Sequence, residues 1–287
     1  MGIRPVKRCK KLPEPNSLTG YRAKNPHGKW DEMRNDPHYD GILAAQETKD
    51  TLMRGQRCLC AFCECLLAPD SSDRSIQEHR TSQRVEHFRP KSSARPPNWD
   101  LLWENLWAVC MGGSSQTDEE RRTGLHPLPD NLSCDAFKDH QQQHGRLPAD
   151  PAGRILAPDE VPAFPRLFAF SPDGVPEPDI NTCENVTIPS NQYLTTRELV
   201  LKTIEHLNLG CFRLAERRRI ARAQLEKRIE QTRKQNQGAP PSQVMKALAR
   251  SLFSANTDRA WPEFFTLIRW RLGDVAEDQL TDMGYDG

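Results

Sequence analysis

The hydrophobic pattern changes period along the chain. HYDGILAAQETKDTLMRGQ (38–56) places Ile42, Leu43, Leu52 and Met53 on or near one face at helical spacing, and Gly55 closes the helix. Between 58 and 110 the apolar pieces are short and separated by turns. VEHF (85–88) and NLWAVC (105–110) read as strands, and RPKSSARPPNW (89–99), with three prolines, as a loop. GGSSQTDEERRTG (112–124) is a polar insertion. CDAFKDHQQQHG (134–145) has helical composition and ends at a glycine. Prolines recur from 148 to 189, around one short strand candidate, LFAFS (167–171), and a turn at SPDG. From Asn191 the helical period takes over, with two long helices broken near LNLG (207–210) and a GAPPS linker (238–242). Two further amphipathic helices follow, in VMKALARSLFS and WPEFFTLIRWRL. Residues 1–37 carry no clear period and read as an extended arm. The pattern predicts an α+β protein with an all-α C-terminal region. Its expected segments are an arm and helix (1–57), a compact unit (58–148), a proline-rich connection (149–190) and a helical region (191–287).

Of 287 residues, 28% are charged and 36% hydrophobic. No apolar run approaches the ~20 residues that span a bilayer, and the first residues lack the apolar core of a signal peptide, so a cytoplasmic protein is expected. The net charge of +1 excludes a simple basic nucleic-acid coat. Local basic runs remain, in the arm (Arg4, Lys7, Arg8, Lys10, Lys11) and on one helix (Arg213, Arg217, Arg218, Arg219, Arg222). That helix suits either a phosphate backbone or acids on a partner subunit. Trp261, Phe264, Phe265 and Trp270 suit either a docking surface or the core of the helical region. No phosphate loop is present, since Gly112-Gly113 lacks the following Lys, so ATP hydrolysis by this chain is not expected.

Nine cysteines without a secretory signal point to metal before disulfide. Cys60 and Cys63, inside CLCAFCEC (58–65), have the spacing of a zinc knuckle, whose turn aims two thiolates at one ion. Cys110 and Cys134 are the natural completing pair. Cys65 is an alternative within the cluster, and His126, His140 or His144 could replace a later cysteine. A structural zinc contributes about 10–16 kcal/mol of apparent binding energy to folding, enough to hold so polar a region together. Two Glu-His pairs follow, at 78–79 and 86–87. A neutral imidazole suits proton abstraction from water, and a carboxylate suits a hard divalent cation. Neighbours on a strand point to opposite faces, so Glu86 and His87 share one reaction centre only if the chain bends, as Pro90 encourages. His79 lacks both strand and proline and is expected at the surface.

The ordered set Cys-x2-Cys, Glu-His-Phe-x-Pro, Asn-Leu and Cys-Asp-x-x-Lys resembles the zinc-bound HNH (ββα-metal) endonucleases. The framing motifs PNSLTGYR, CAFCE, EHFRPK, WENL, CMGG, CDAFK and LNLG resemble the PtuB-type HNH subunits of Septu-type and retron-associated anti-phage systems. The resemblance implies His87 as general base, Asn105 as the residue that fixes the His loop, and Lys138 at a phosphate. Glu86 and Asp135 become ligands of a catalytic Mg²⁺ or Mn²⁺, and Cys60, Cys63, Cys110 and Cys134 hold structural Zn²⁺. It also implies a PtuA-like ATPase partner, a retron reverse transcriptase with its single-stranded DNA as a further partner, and a nucleic-acid substrate, DNA ahead of tRNA. Asp135 departs from the family letters, giving H-N-D in place of H-N-H, and a second carboxylate suits a hard cation. The gap between Cys110 and Cys134 is long because the polar insertion lies inside it. Two rival classes are a zinc-stabilised binding module without activity and an assembly adaptor. A binding module needs the cysteines but has no use for His87, Glu86, Asn105 and Asp135 together.

Overall fold

The computed structural model describes residues 9, 11–36, 40–67, 83–91, 98–116, 118–253 and 260–286, with 118–120 in backbone only. His79 and most of the basic arm lie outside the described residues. Three N-terminal helices come first, α1 (Asn16–Lys24), α2 (Trp30–Arg34) and α3 (Asp40–Gly55). The arm expected as extended is therefore helical in two places. Its few apolar residues explain the difference: Leu18, Tyr21, Trp30 and Met33 are all buried, and α1 and α2 both pack on α3. The face α3 turns inward is built on the small residues Gly41, Ala44, Ala45 and Thr48 in its first turns and on Thr51, Leu52 and Met53 in its last, while Ile42 and Leu43 are exposed. A side chain on Gly41 would lie 2.4 Å from the Met33 carbonyl, so glycine permits that close approach.

Strand β1 (Gln83–His87) pairs antiparallel with β2 (Leu106–Cys110), Glu86 opposite Trp107 and His87 opposite Leu106. β2 is buried at every position. Its other edge is occupied by the knuckle segment. The Gln56 side-chain amide accepts from Ala108 N–H and donates to the Ala108 carbonyl, at 2.9 and 2.7 Å, and Ala61 N–H donates to the same carbonyl. A short helix α4 (Asp118–Thr123) lies in the polar insertion. Helix α5 (Cys134–Gln143) then packs on β2, and its first N–H bonds to the Leu207 carbonyl of the helical region. Next come a two-stranded sheet of β3 (Phe168–Phe170) with β4 (Pro176–Pro178), and α6 (Ile180–Cys183).

The C-terminal third holds α7 (Thr196–His206), α8 (Phe212–Gln235), α9 (Pro241–Leu252), α10 (Phe265–Leu272) and α11 (Asp274–Asp282). The break between α7 and α8 falls in the LNLG region. Trp261, Phe264 and Phe265 are buried and Trp270 packs against the core, so these aromatics fill the interior. The arginines of α8 also turn inward in part. Arg218 is buried, donating to the carbonyls of Leu209 (2.6 Å) and Gly174 (3.4 Å) and lying over Phe264. Arg219 is exposed. Glu64 of the knuckle, at φ 63°, joins the helical region to the strands: its buried carboxylate accepts from Thr266 N–H (2.8 Å) and the Thr266 hydroxyl (2.5 Å). Thr266→Val removes one of these charge-assisted bonds and is expected to lower the unfolding free energy by about 1.5–3 kcal/mol, read as a fall in the urea midpoint. An unchanged midpoint would show that Glu64 does not depend on this hydroxyl.

Candidate active site

Four cysteines from three distant segments meet in the interior. The side chains of Cys60, Cys63, Cys110 and Cys134 are buried and their sulfurs lie within 4.8 Å of one another. The separations are 3.9 Å for Cys60–Cys134, 3.6 Å for Cys63–Cys110 and 3.7 Å for Cys110–Cys134. A tetrahedral ion with Zn–S bonds of about 2.3 Å places its sulfurs about 3.8 Å apart, so the donor set fits zinc in kind and in spacing. Local backbone explains how the set forms. Glu64 in the left-handed region and the bond from Cys60 N–H to the Cys65 carbonyl (2.9 Å) fold 60–65 into a tight loop. Cys110 ends β2 and Cys134 opens α5. Cys65 is buried beside Cys63 but outside the group of four, and His126, His140 and His144 are not members of it either.

Strand β1 and helix α5 line a cavity of about 600 Å³ with Glu86, His87, Asp135 and Lys138, joined by Trp30, Arg34 and Lys49 from the N-terminal helices. All four of the first group are buried. Glu86 and His87 line the same cavity although they are strand neighbours, His87 standing at the end of β1 where the chain turns into Phe88-Arg89-Pro90. Asp135 and Lys138 are one turn apart on α5. The two carboxylates are each held by an internal cation: Glu86 pairs with Lys138, and Asp135 with Arg84. Lys138 also donates to the His87 carbonyl at 3.2 Å. Burial pushes Glu86 up to about 7 against the pull of Lys138, and burial likewise raises Asp135 above the usual carboxylate range against Arg84. Among the described residues these acids and His87 do not converge as tightly as the four cysteines do.

His87 is fixed by its surroundings. Its Nε2 lies 2.8 Å from the Asp100 main-chain carbonyl and 3.5 Å from that residue's carboxylate. A carbonyl only accepts, so Nε2 carries the hydrogen and the Nδ1 lone pair is left to accept a proton. The Trp30 ring stands edge-on to the imidazole with centroids 5.9 Å apart, and Trp30 N–H donates to the Asp100 carboxylate at 3.1 Å. Asn105, almost fully buried, staples both ends of the proline-rich loop. Its Oδ1 accepts from Arg89 N–H (2.7 Å), and its Nδ2 donates to the carbonyls of Arg89 (3.1 Å) and Trp99 (2.7 Å). Sequence reasoning missed Arg84, Asp100 and Trp30. Arg84 had a signal, since residues two apart on a strand share a face with Glu86. Asp100 and Trp30 had none, because Asp100 acts largely through its carbonyl and Trp30 arrives from a distant helix.

No family model matches the chain. A protein of Escherichia coli named "Retron Ec83 putative HNH endonuclease" is 38% identical over 218 residues, covering 75% of this chain and 78% of the relative. With that identity and coverage, the chain belongs to the HNH endonucleases. It is a nuclease, built as a mixed α+β protein whose buried four-cysteine cluster could hold zinc. Among the described residues, no helix is long and apolar enough to cross a membrane.

Burial, followed by the charge of Lys91, pushes His87 down to about 3. The folded ring therefore stays neutral through the range in which an unfolded histidine, at about 6.5, takes up a proton. The stability due to this neutral ring is present above pH ~6.5 and declines as the pH falls toward 3. In the metal-free protein the His87 ring signals in NMR are expected not to titrate between pH 8 and about 4.5. A midpoint near 6.5 would mean that the ring is open to water.

Proposed function

We propose that this chain hydrolyses phosphodiester bonds of DNA at the His87 cleft, as the effector nuclease of a retron-associated anti-phage complex. The observation that carries the reading is His87 itself: a buried neutral imidazole whose Nε2 faces the Asp100 carbonyl, leaving the lone pair on Nδ1, on a residue that lines the cleft with Glu86 and Asp135. On this reading β1, β2 and α5 form the ββα-metal core of the family. The lining supports an anionic substrate. It carries five basic side chains (Arg34, Lys49, Arg84, Lys91, Lys138) against four acidic ones (Asp31, Glu86, Asp135, Asp139), an excess that a divalent cation increases.

Glu86 and Asp135 are the residues that would hold Mg²⁺ or Mn²⁺. Both are buried oxygen donors, the ligand type a hard cation prefers, and such an ion would take over from Lys138 and Arg84 part of the charge balance of the two carboxylates. When bound, such an ion supplies charge stabilisation at the scissile phosphate and the leaving 3′ oxygen. His87 Nδ1 removes a proton from the water that attacks phosphorus, and the Asp100 carbonyl and nearby carboxylate stabilise the imidazolium so formed. Asn105 keeps the loop that carries Asp100 in register with β1. Lys138, bonded to Glu86 and the His87 carbonyl, fixes the floor of the cleft and adds positive charge beneath the phosphate. Cys60, Cys63, Cys110 and Cys134 hold a structural zinc that anchors β2 and α5.

The relative's name places that protein in a retron, which supports a retron reverse transcriptase and its single-stranded DNA as partners here. The PtuB-like motifs support a PtuA-like ATPase partner, and the helical region is the natural side for it, through residues other than its buried aromatics. The test is to purify the chain with the products of its genomic neighbours and incubate it with plasmid DNA and with total tRNA in Mg²⁺, beside His87→Ala. Cleavage is expected to fall by about 10²–10⁴-fold in the variant. Equal cleavage by both proteins would remove His87 from the chemistry. No cleavage by a folded, zinc-bound wild type would favour the adaptor class. Cutting confined to tRNA would overturn the DNA assignment.

A further inference from the structure

A guanidinium stands next to the cysteine cluster with no carboxylate among the described residues to balance it. Arg213, the second residue of α8, turns in toward α5. Its Nη2 donates to the Ser133 hydroxyl at 2.7 Å and its Nε to the Asn131 carbonyl at 3.4 Å. Ser133 is completely buried, and its oxygen lies 3.7 Å from the sulfur of Cys134. The hydroxyl accepts from Arg213, so its own hydrogen is directed at that sulfur. Among the described residues no acid pairs with Arg213. Burial opposes its charge, and the nearby sulfurs that favour it include Cys63 and Cys110 of the group of four, with Cys211 and Cys65 outside that group. Arginine keeps its proton at any working pH, and a largely desolvated guanidinium with only neutral partners is costly.

The chain makes room for this contact. A side chain on Gly113 would lie 2.8 Å from the Asn131 carbonyl and 2.9 Å from Arg213 Nε. One on Gly112 would lie 2.3 Å from the Ser133 carbonyl. Both glycines have positive φ, 62° and 83°, and they directly follow Cys110 and Met111. The turn that leaves one cysteine thus seats the arginine and serine that meet another. The charge argument agrees. Four thiolates around a divalent zinc carry two net negative charges in a buried place. Arg217, one turn further along α8, also feels these sulfurs, but it is shared with Glu263. Among the described residues Arg213 is shared with no acid.

We propose that Arg213, acting through Ser133, is a positioning residue for the structural metal: it offsets the charge of the four-sulfur site, directs a hydrogen bond to Cys134 and so sets how tightly zinc is retained. This rests on the zinc reading above and not on the nuclease reading. It gives the first arginine of the basic helix a task inside the protein, in place of a phosphate backbone.

The experiment uses the full chain as wild type, Ser133→Ala, Arg213→Gln and Arg213→Lys. Zinc content is measured by elemental analysis, zinc release by chelator competition, and the sulfur-to-metal charge-transfer band after Co²⁺ substitution. Wild type is expected to hold one zinc. Ser133→Ala and Arg213→Gln should each weaken retention by about 10–100-fold and shift the band, and Arg213→Lys, which keeps the charge, should restore part of the loss. Ser133→Ala removes a single oxygen and decides the matter if Arg213→Gln does not fold. Wild-type retention and spectra in Ser133→Ala and Arg213→Gln would overturn the proposal while the zinc reading stands. A wild type without zinc would overturn both.

Discussion

Everything near the cleft depends on one point where four sulfurs meet. Cys60 and Cys63 come from the knuckle, Cys110 from the end of β2 and Cys134 from the first position of α5. Once Cys134 is fixed, Asp135 follows along the backbone and Lys138 follows one helical turn later. Because β2 is fixed at Cys110, its antiparallel register with β1 places Glu86 and His87. The sulfur cluster therefore sets the coordinates of the cleft without contributing an atom to its lining. Glu64, in the same knuckle, carries that order into the helical region through Thr266.

Such an arrangement lets a chain with only 36% hydrophobic residues keep a defined interior. Much of the polar sequence is used inside. Arg218 caps backbone carbonyls under aromatic rings. Arg269, nearly inaccessible, forks onto Glu277 and lies 4.7 Å from the Phe164 ring centre. Gln56 substitutes for a neighbouring strand along β2. Each is a buried polar group with hydrogen-bond partners within the fold, the condition under which burial is tolerated.

How much of this the sequence disclosed depends on the kind of information involved. Cysteine spacing is discrete, so the four sulfur positions were legible, and so were the strands around Val85 and Val109. The order of Glu86, His87, Asn105, Asp135 and Lys138 pointed to one cleft, and the fold does line it with Glu86, His87, Asp135 and Lys138. Helices α1 and α2 were not legible, because Leu18, Tyr21, Trp30 and Met33 give too little periodicity alone and gain their burial only against α3. Ile42 and Leu43 misled for the opposite reason: small residues made the closer contact, which an apolar count does not reward. The inward turn of Arg213 and Arg218 was hidden because a run of arginines looks the same whether it faces water or carbonyls. Asp100 was hidden because a main-chain carbonyl has no residue type.

The bond between Trp30 N–H and the Asp100 carboxylate has a thermodynamic corollary. The pose of the His87 ring and the docking of residues 26–30 share Asp100, while Asn98 ties the same loop to the carbonyls of Pro26 and Gly28. Two equilibria that share a component are reciprocal. Whatever part of a ligand's binding to the N-terminal segment depends on the pose of the imidazole favours that pose by the same amount.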